Sequence, residues 1–408
     1  MALKKKWKRF GKATGEAFTN FGKSVAKTAK VVFMDDTNVR EENGKTEIAN
    51  AWRKTGKSFG EAGKSLGKAA QGTAQKVVGV DEKEDNKKEK NKMSKILLTG
   101  VDGNLGSHAA ELLLKLEAKE NLIFVAYSAK ALEKYKAMGI ETRVADFNYY
   151  EGLEEAFKGA DILGLISMPF VGPKRQAAQK NVVDAAKAAG VKKIVYTSLV
   201  NAGDETNPSV EKKDHIYTER YIEASGLDYI FLRNSQYAEA MITNYFTYVH
   251  LDNVLKNSQG DGLMAYISRK DCAKAMAYAL HRGFEPQYHK ATLDINGLEL
   301  MTISKFIEYG NKATGNNVSY KELTDEENYQ IFDAMGVPRT TDGVFKKDSE
   351  APFSSDGMVT FAQAIREGKM AVQTDDFKKL TGDDPISVYE MFSHSDEYQI
   401  GERHSKDK

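Results

Sequence analysis

From residue 95 onward the chain alternates short apolar runs with longer amphipathic stretches. Lys95–Thr99, Leu122–Tyr127, Glu141–Ala145, Asp161–Ile166, Lys192–Thr197 and Asp228–Leu232 are brief segments rich in Ile, Leu, Val and Ala. Runs of this length, apolar without strict alternation, suit strands covered on both faces of a parallel sheet. Helical patterns stand between them, including one through Leu112–Leu116 and one over Lys174–Ala189. Six strands with intervening helices predict an α/β fold built on an open, doubly wound, mostly parallel sheet.

The first part of the chain follows another rule. Leu3, Trp7, Phe10, Thr14, Phe18, Phe21, Val25 and Val32 recur at threes and fours, one stripe of a helix with Lys and Arg on its other faces. The pattern returns 45 residues later, with Trp7, Gly11, Gly15, Glu16, Gly22 and Lys23 matched by Trp52, Gly56, Gly60, Glu61, Gly67 and Lys68. This is an internal duplication. Each glycine weakens an isolated helix by about 1 kcal/mol, so residues 1–80 are expected to form basic amphipathic helices against a surface. An anionic membrane, a helical partner and the body of the protein are the candidates. Residues 81–92 hold no apolar side chain and read as a solvated linker.

Charge sharpens this division. Residues 1–92 carry 22 Lys and Arg against 12 Asp and Glu, a net +10, while the remainder is −9. Nucleic acid is disfavoured as a partner because Glu16, Glu61 and the acidic stretch 81–89 dilute the basic face. One cysteine, Cys272, excludes an internal disulfide framework and any Cys-based zinc site; it opens a helix beside Asp271, the expected cap. No apolar run approaches the ~20 residues of a membrane span, and the N-terminus lacks the apolar stretch of a signal peptide. The expected location is cytoplasmic, with peripheral membrane attachment open through residues 1–80.

Chemistry begins at the first strand. Lys95-Ile-Leu-Leu-Thr99 runs into Gly100-Val-Asp-Gly103-Asn104-Leu105-Gly106 and then a helix. In that context glycines give a tight turn, close backbone approach to a pyrophosphate and tight helix packing, and the helix start offers free N–H groups. Ligands in such sheets lie beyond the carboxyl ends of the strands. That rule selects Gly100–Gly106, Tyr127–Lys130, Asp146 and Phe147, Ser167–Pro169, Thr197 and Ser198, and Arg233–Tyr237.

Over about 94–395 the chain resembles the NmrA-like atypical short-chain dehydrogenases, and within them the type 2 NAD(P)H:quinone oxidoreductases. The residues that carry this are the G-x-x-G-x-x-G spacing, Ala145-Asp-Phe, Leu165-Ile-Ser167, Asn181–Val191, Tyr196-Thr-Ser-Leu199, His215-x-x-x-Glu219, Leu232-Arg-Asn234 with Tyr237, and Ser268-Arg-Lys-Asp271-Cys-Ala. The resemblance implies a Rossmann domain over 93–232 and 263–282, with a smaller C-terminal α/β lobe from 233–262 and 283–395 and a tail over 396–408. It implies a flavin-free, metal-free site in which Gly100, Gly103, Asn104, Leu105, Gly106, Ser128, Lys130, Asp146, Phe147, Ser167 and Thr197 hold NADP or NAD. His215, Ser167, Asn234 and Tyr237 would shape the pocket where hydride passes to a quinone or similar conjugated carbonyl.

The chain also departs from that pattern. Asp102 stands in the loop where the family has Thr, and Tyr127-Ser-Ala-Lys130 carries neither the Arg of an NADP site nor the acid of an NAD site. Ser128 and Lys130 tip the expectation towards NADP. The Tyr-x-x-x-Lys acid/base pair is missing: Glu211 stands four residues before His215, and His215 could instead pair with Glu219 one helical turn on. The expected activity is an NAD(P)H-dependent reductase. The competing reading is a catalytically silent dinucleotide sensor or scaffold tethered through residues 1–80. A homo-oligomer is left open.

Overall fold

A computed structural model of the chain describes residues 94–169, 171–340 and 354–399. The duplicated segment 1–80, the linker and the end of the tail lie outside the described residues.

Seven parallel strands form the main sheet: β1 (Ile96–Thr99), β2 (Leu122–Ala126), β3 (Glu141–Val144), β4 (Ile162–Leu165), β5 (Lys193–Leu199), β6 (Asp228–Asn234) and, later in the chain, β8 (Ala291–Ile295). Their spatial order is β3-β2-β1-β4-β5-β6-β8. Chain direction across the sheet reverses between β1 and β4, the switch point at which doubly wound folds open a crevice.

Helices cover both faces. On one side α1 (Asn104–Leu116), α2 (Ala129–Ala137) and α7 (Arg269–His281) bury Leu98, Leu113, Phe124, Tyr135, Met276 and their neighbours. On the other, α3 (Leu153–Phe157), α4 (Pro173–Ala188) and α5 (Lys212–Ser225) bury Leu97, Ile123, Phe157, Val182, Ile194 and Ile222. Gly164 on β4 admits Leu280 of α7, since a Cβ there would stand 3.0 Å from its methyl.

A separate core lies beneath α6 (Ala238–Val249), α8 (Ile303–Thr314), α10 (Ser355–Arg366) and α12 (Val388–Ser393), centred on Tyr245, Phe306 and Phe392. The parallel pair β7 (Val254–Asn257) and β9 (Ser319–Glu322) and α9 (Asp325–Ala334) complete this lobe. Gly310 lets the rings close, because a Cβ would come within 2.8 Å of Tyr245 and 2.9 Å of Phe392.

Two details differ from the sequence reading. The sheet has a seventh strand: β8 pairs with β6, and α11 (Asp376–Thr381) packs Phe377 and Leu380 into the α1–α7 core, so both belong to the sheet although they fall inside 283–395. Ser268, not Asp271, caps α7. The Ser268 Oγ accepts from the Asp271 amide at 2.9 Å, while the Asp271 carboxylate accepts from Ser268 Oγ at 2.8 Å and from the Ile386 amide at 3.1 Å.

Candidate functional site: the crevice at the strand ends

The loop after β1 has the backbone that its sequence requires. Gly100 has φ +67°, a conformation that strains a side chain, and the Gly103 amide closes the turn on the Gly100 carbonyl at 3.0 Å. Gly103 caps α1 with extended backbone and no side-chain bond, and the first turn holds no acidic residue. A Cβ on Gly106 would stand 1.9 Å from the Gly100 oxygen, so only glycine lets the helix begin so close to the loop. Asn104 opens the helix, and Leu105 is buried in the core. Such a cradle of unclaimed amides at a helix start fits the pyrophosphate of a dinucleotide.

The outer candidates are a mixed set. Ser128 caps α2 without using its hydroxyl, and Lys130 is exposed. Asp146 is engaged locally, its Oδ1 accepting from the Asn148 amide at 3.0 Å and side chain at 2.7 Å. The Phe147 ring belongs to the core, edge-on to Phe157 at 6.2 Å, which leaves its backbone at the end of β3. Asp102 turns out of the loop towards the end of β2, where its Oδ2 accepts from the Tyr127 amide at 3.2 Å. Burial raises the Asp102 pKa and the amides of Asp102, Tyr127 and Ser128 offset this only in part.

Beyond β4 and β5 the polar side chains form one connected network. The Thr197 Oγ1 accepts from the Ser167 amide at 2.7 Å, joining the two strand ends. Gln179 of α4, fully buried, accepts from Ser167 Oγ at 3.0 Å and donates to Tyr196 Oη at 3.3 Å and Thr218 Oγ1 at 2.6 Å. His215 of α5 lies at the far end, its Nδ1 3.0 Å from Tyr196 Oη and its Nε2 3.3 Å from the Arg175 guanidinium. Because Arg175 can only donate, Nε2 accepts and the proton sits on Nδ1, facing Tyr196. Burial first, and the Arg175 charge second, hold the His215 pKa well below its ordinary value. The imidazole is therefore neutral at physiological pH and supplies no cation to a substrate.

His215 and Glu219 do not pair, although they are one turn apart. Glu219 is claimed from the sheet: it accepts from Ser198 Oγ at 2.5 Å and takes both Nε and an Nη of Arg233, at 2.9 and 2.6 Å.

The end of β6 is different in kind. Asn234 Nδ2 donates to Tyr237 Oη at 3.4 Å. Nearby, Asn234 Oδ1, Ser235 Oγ, Gln236 Oε1 and Glu239 Oε2 are buried with no hydrogen-bond partner among the described residues, while Arg269 Nε forms an ion pair with Glu239 Oε1 at 3.8 Å. Glu239 does use its other oxygen, which accepts from the Arg269 amide at 2.9 Å, and burial raises its pKa. Unspent polar capacity concentrated beside a strand end is a mark of a ligand subsite. The four pocket candidates thus fall into two sets: Ser167 and His215 share the closed network, while Asn234 and Tyr237 form their own pair.

Gln179, Arg175 and Glu239 escaped sequence reading. Arg175 and Gln179 sit on a helix that looks ordinary in isolation, and their partners come from β4, β5 and α5. Among the described residues no helix is long and apolar enough to cross a membrane, and no group of three His, Cys, Asp or Glu could hold a metal ion.

Comparison with known proteins agrees with this geometry. Residues 100–282 match a family model described as NAD(P)H-binding. The chain is 29% identical over 301 residues to quinone oxidoreductase 2 of Escherichia coli, covering 73% of this chain and 98% of that protein. An NmrA-like family domain-containing oxidoreductase of Aspergillus flavus is 26% identical over 300 residues, covering 71% of this chain and 91% of the relative. Among solved structures, the Escherichia coli NADPH-dependent quinone oxidoreductase complexed with NADPH superposes with a TM-score of 0.64 at 28% identity, over 74% of this chain and 99% of that one. With the seven-stranded switch-point sheet and the glycine cradle, these matches show an NAD(P)H-dependent oxidoreductase similar to the NmrA-like NAD(P)H-binding proteins.

Proposed function

We propose that the protein reduces a quinone or similar conjugated carbonyl, with the dinucleotide lying from the Gly100–Gly106 cradle to the end of β6. When bound, the dinucleotide would supply a hydride to the quinone, and a proton from the site or solvent would complete the hydroquinone. Quinones accept hydride readily, so the chain's task is chiefly orientation, with a weak acid near the acceptor oxygen. Gly100, Gly103, Asn104, Leu105 and Gly106 would receive the pyrophosphate through their backbone. Ser128 and Lys130 would meet the adenosine end, with the strand-end backbone of Asp146 and Phe147 as a wall. Ser167 and Thr197 would line the nicotinamide end.

In this reading Tyr237 and Asn234 hold the acceptor oxygen. The Tyr237 hydroxyl has its pKa raised by burial, so it remains a protonated donor throughout the physiological range. His215 acts as a positioning residue: it is neutral and keeps Tyr196, and through Gln179 the Ser167 hydroxyl, in place. The observation that carries the proposal is the group of unpartnered polar atoms at Asn234, Ser235, Gln236 and Glu239, gathered at the carboxyl end of β6, where ligands of such sheets lie.

The test is to mix the protein with NADH or NADPH and a panel of benzoquinones and naphthoquinones while following loss of the reduced nicotinamide. Turnover in wild type and its loss in Gly106→Val, through failed dinucleotide binding, are expected. Dinucleotide binding without oxidation by any quinone would support the silent sensor instead. Residues 1–80 are proposed as a separable surface-seeking module, so a chain starting at Met93 should keep its dinucleotide affinity.

A further inference from the structure

The end of β2 is where doubly wound folds distinguish the two nicotinamide dinucleotides. An acid there accepts a hydrogen bond from the ribose 2′-hydroxyl of NAD(H), and a nearby cation accommodates the 2′-phosphate of NADP(H). The sequence after β2, Tyr127-Ser128-Ala129-Lys130, contains no acid. The structure supplies one from elsewhere. Asp102 leaves the glycine loop of β1 and reaches Tyr127, the first residue beyond β2, accepting its amide at 3.2 Å. The backbone amides of Ser128 and Asp102, with that of Tyr127, act to lower the pKa that burial raises.

Three features fix the carboxylate there. It is half-buried, its loop is pinned by the Gly103–Gly100 turn, and swinging it away would strip the Tyr127 amide of its acceptor. The Ser128 hydroxyl beside it is not spent on capping α2, and the first turn of α2 brings no other acid. The single cation of the segment, Lys130, is exposed on a flexible stem.

We propose that Asp102 sets dinucleotide selectivity in this protein: its carboxylate serves the 2′-hydroxyl of NADH and opposes the 2′-phosphate of NADPH, so NADH is accepted at least as well. Two anions a few ångströms apart at a partly solvated site shift relative affinity by roughly tenfold. Lys130 offsets part of that repulsion, which leaves NADPH usable. The inference rests on the dinucleotide reading of the glycine cradle and removes the advantage that Ser128 and Lys130 alone would give to NADP.

The test uses the full chain and needs no quinone. Affinities for NADH and NADPH are measured by calorimetry for wild type, Asp102→Thr, Asp102→Asn and Lys130→Gln. Wild type is expected to bind NADH as tightly as NADPH or more so. Both Asp102 substitutions should move the NADPH to NADH affinity ratio about tenfold towards NADPH, Asp102→Asn while keeping an acceptor for the Tyr127 amide. Lys130→Gln should weaken NADPH more than NADH, and added salt should reduce that difference. A wild-type preference for NADPH of tenfold or more would overturn the inference, as would an unchanged ratio in both Asp102 variants, including the case where both dinucleotides weaken together. No affinity for either dinucleotide in wild type would instead remove the cradle reading on which the inference depends.

Discussion

Two polar clusters lie at the carboxyl ends of neighbouring strands, and they are built on opposite terms. Behind β4 and β5, Gln179 ties Ser167, Tyr196 and Thr218 together, and His215 and Arg175 close the far end. At the end of β6, Asn234, Ser235, Gln236 and Glu239 each keep a buried polar atom without a partner. A saturated buried network rigidifies what it touches, whereas unsaturated polar atoms cost free energy unless a ligand or solvent meets them. On the proposed function, the resembling motif residues divide between support and reaction: His215 would belong to the frame, and Asn234 and Tyr237 to the pocket.

The sharpest way to break this division is through turnover. Tyr237→Ala should lower kcat by about 10²-fold, the scale of a lost positioned donor, while leaving the dinucleotide Kd within a few fold. His215→Ala should cost only ~10-fold or less, because a neutral imidazole that faces Tyr196 does not protonate the acceptor. Its kcat against pH should also keep the wild-type shape near pH ~6.5, where an ordinary histidine titrates. Equal losses in the two variants would merge the clusters into one catalytic unit.

Stability should rank them the other way. Gln179→Ala leaves several buried groups unbonded and should destabilise the fold by about 2–4 kcal/mol in denaturant unfolding, with kcat changed far less than by Tyr237→Ala. Asn234→Ala removes an oxygen that already lacks a partner together with one long hydrogen bond to Tyr237, and should cost about 1 kcal/mol.

The smallest effects are in pH dependence, and their signs oppose each other. The His215 pKa is depressed in the fold, so the unfolded chain binds its proton first; its contribution to stability is lost as pH falls below the ordinary histidine value. Glu239 has a raised pKa, so the folded state holds a proton that the unfolded chain has released. Its contribution is present below the ordinary carboxyl value and is lost as pH rises through the folded value. Relative to wild type, His215→Gln should therefore gain stability towards acid and Glu239→Gln towards neutral pH. The check is a set of urea midpoints measured across pH for all three proteins.

Much of the fold was legible because parallel strands, covered on both faces, are written as short apolar runs. The glycine cradle was legible for a related reason, since only glycine tolerates the backbone at Gly100 and the contact at Gly106. Strand β8 was not, because Ala291-Thr-Leu-Asp-Ile295 is an edge strand with mostly part-exposed side chains and follows a stretch that reads as lobe. The pairing of His215 with Glu219 was the natural inference from helical spacing. It failed because β6 brings Arg233 and β5 brings Tyr196, and contacts between distant segments outrank a turn of helix. Asp102 was visible as an anomaly in the loop, but its reach to Tyr127 depends on how β1 and β2 lie side by side, which no local pattern encodes.

Hydride transfer itself is the central claim, and single-turnover mixing tests it directly. The protein loaded with NADH or NADPH, carrying deuterium at the transferred position of the nicotinamide, is mixed with an excess of a simple benzoquinone without oxygen. One hydroquinone formed per dinucleotide oxidised, slowed by a primary isotope effect and slowed further in Tyr237→Ala, is the expected result. Dinucleotide that stays bound and reduced in the presence of every quinone tried would contradict it.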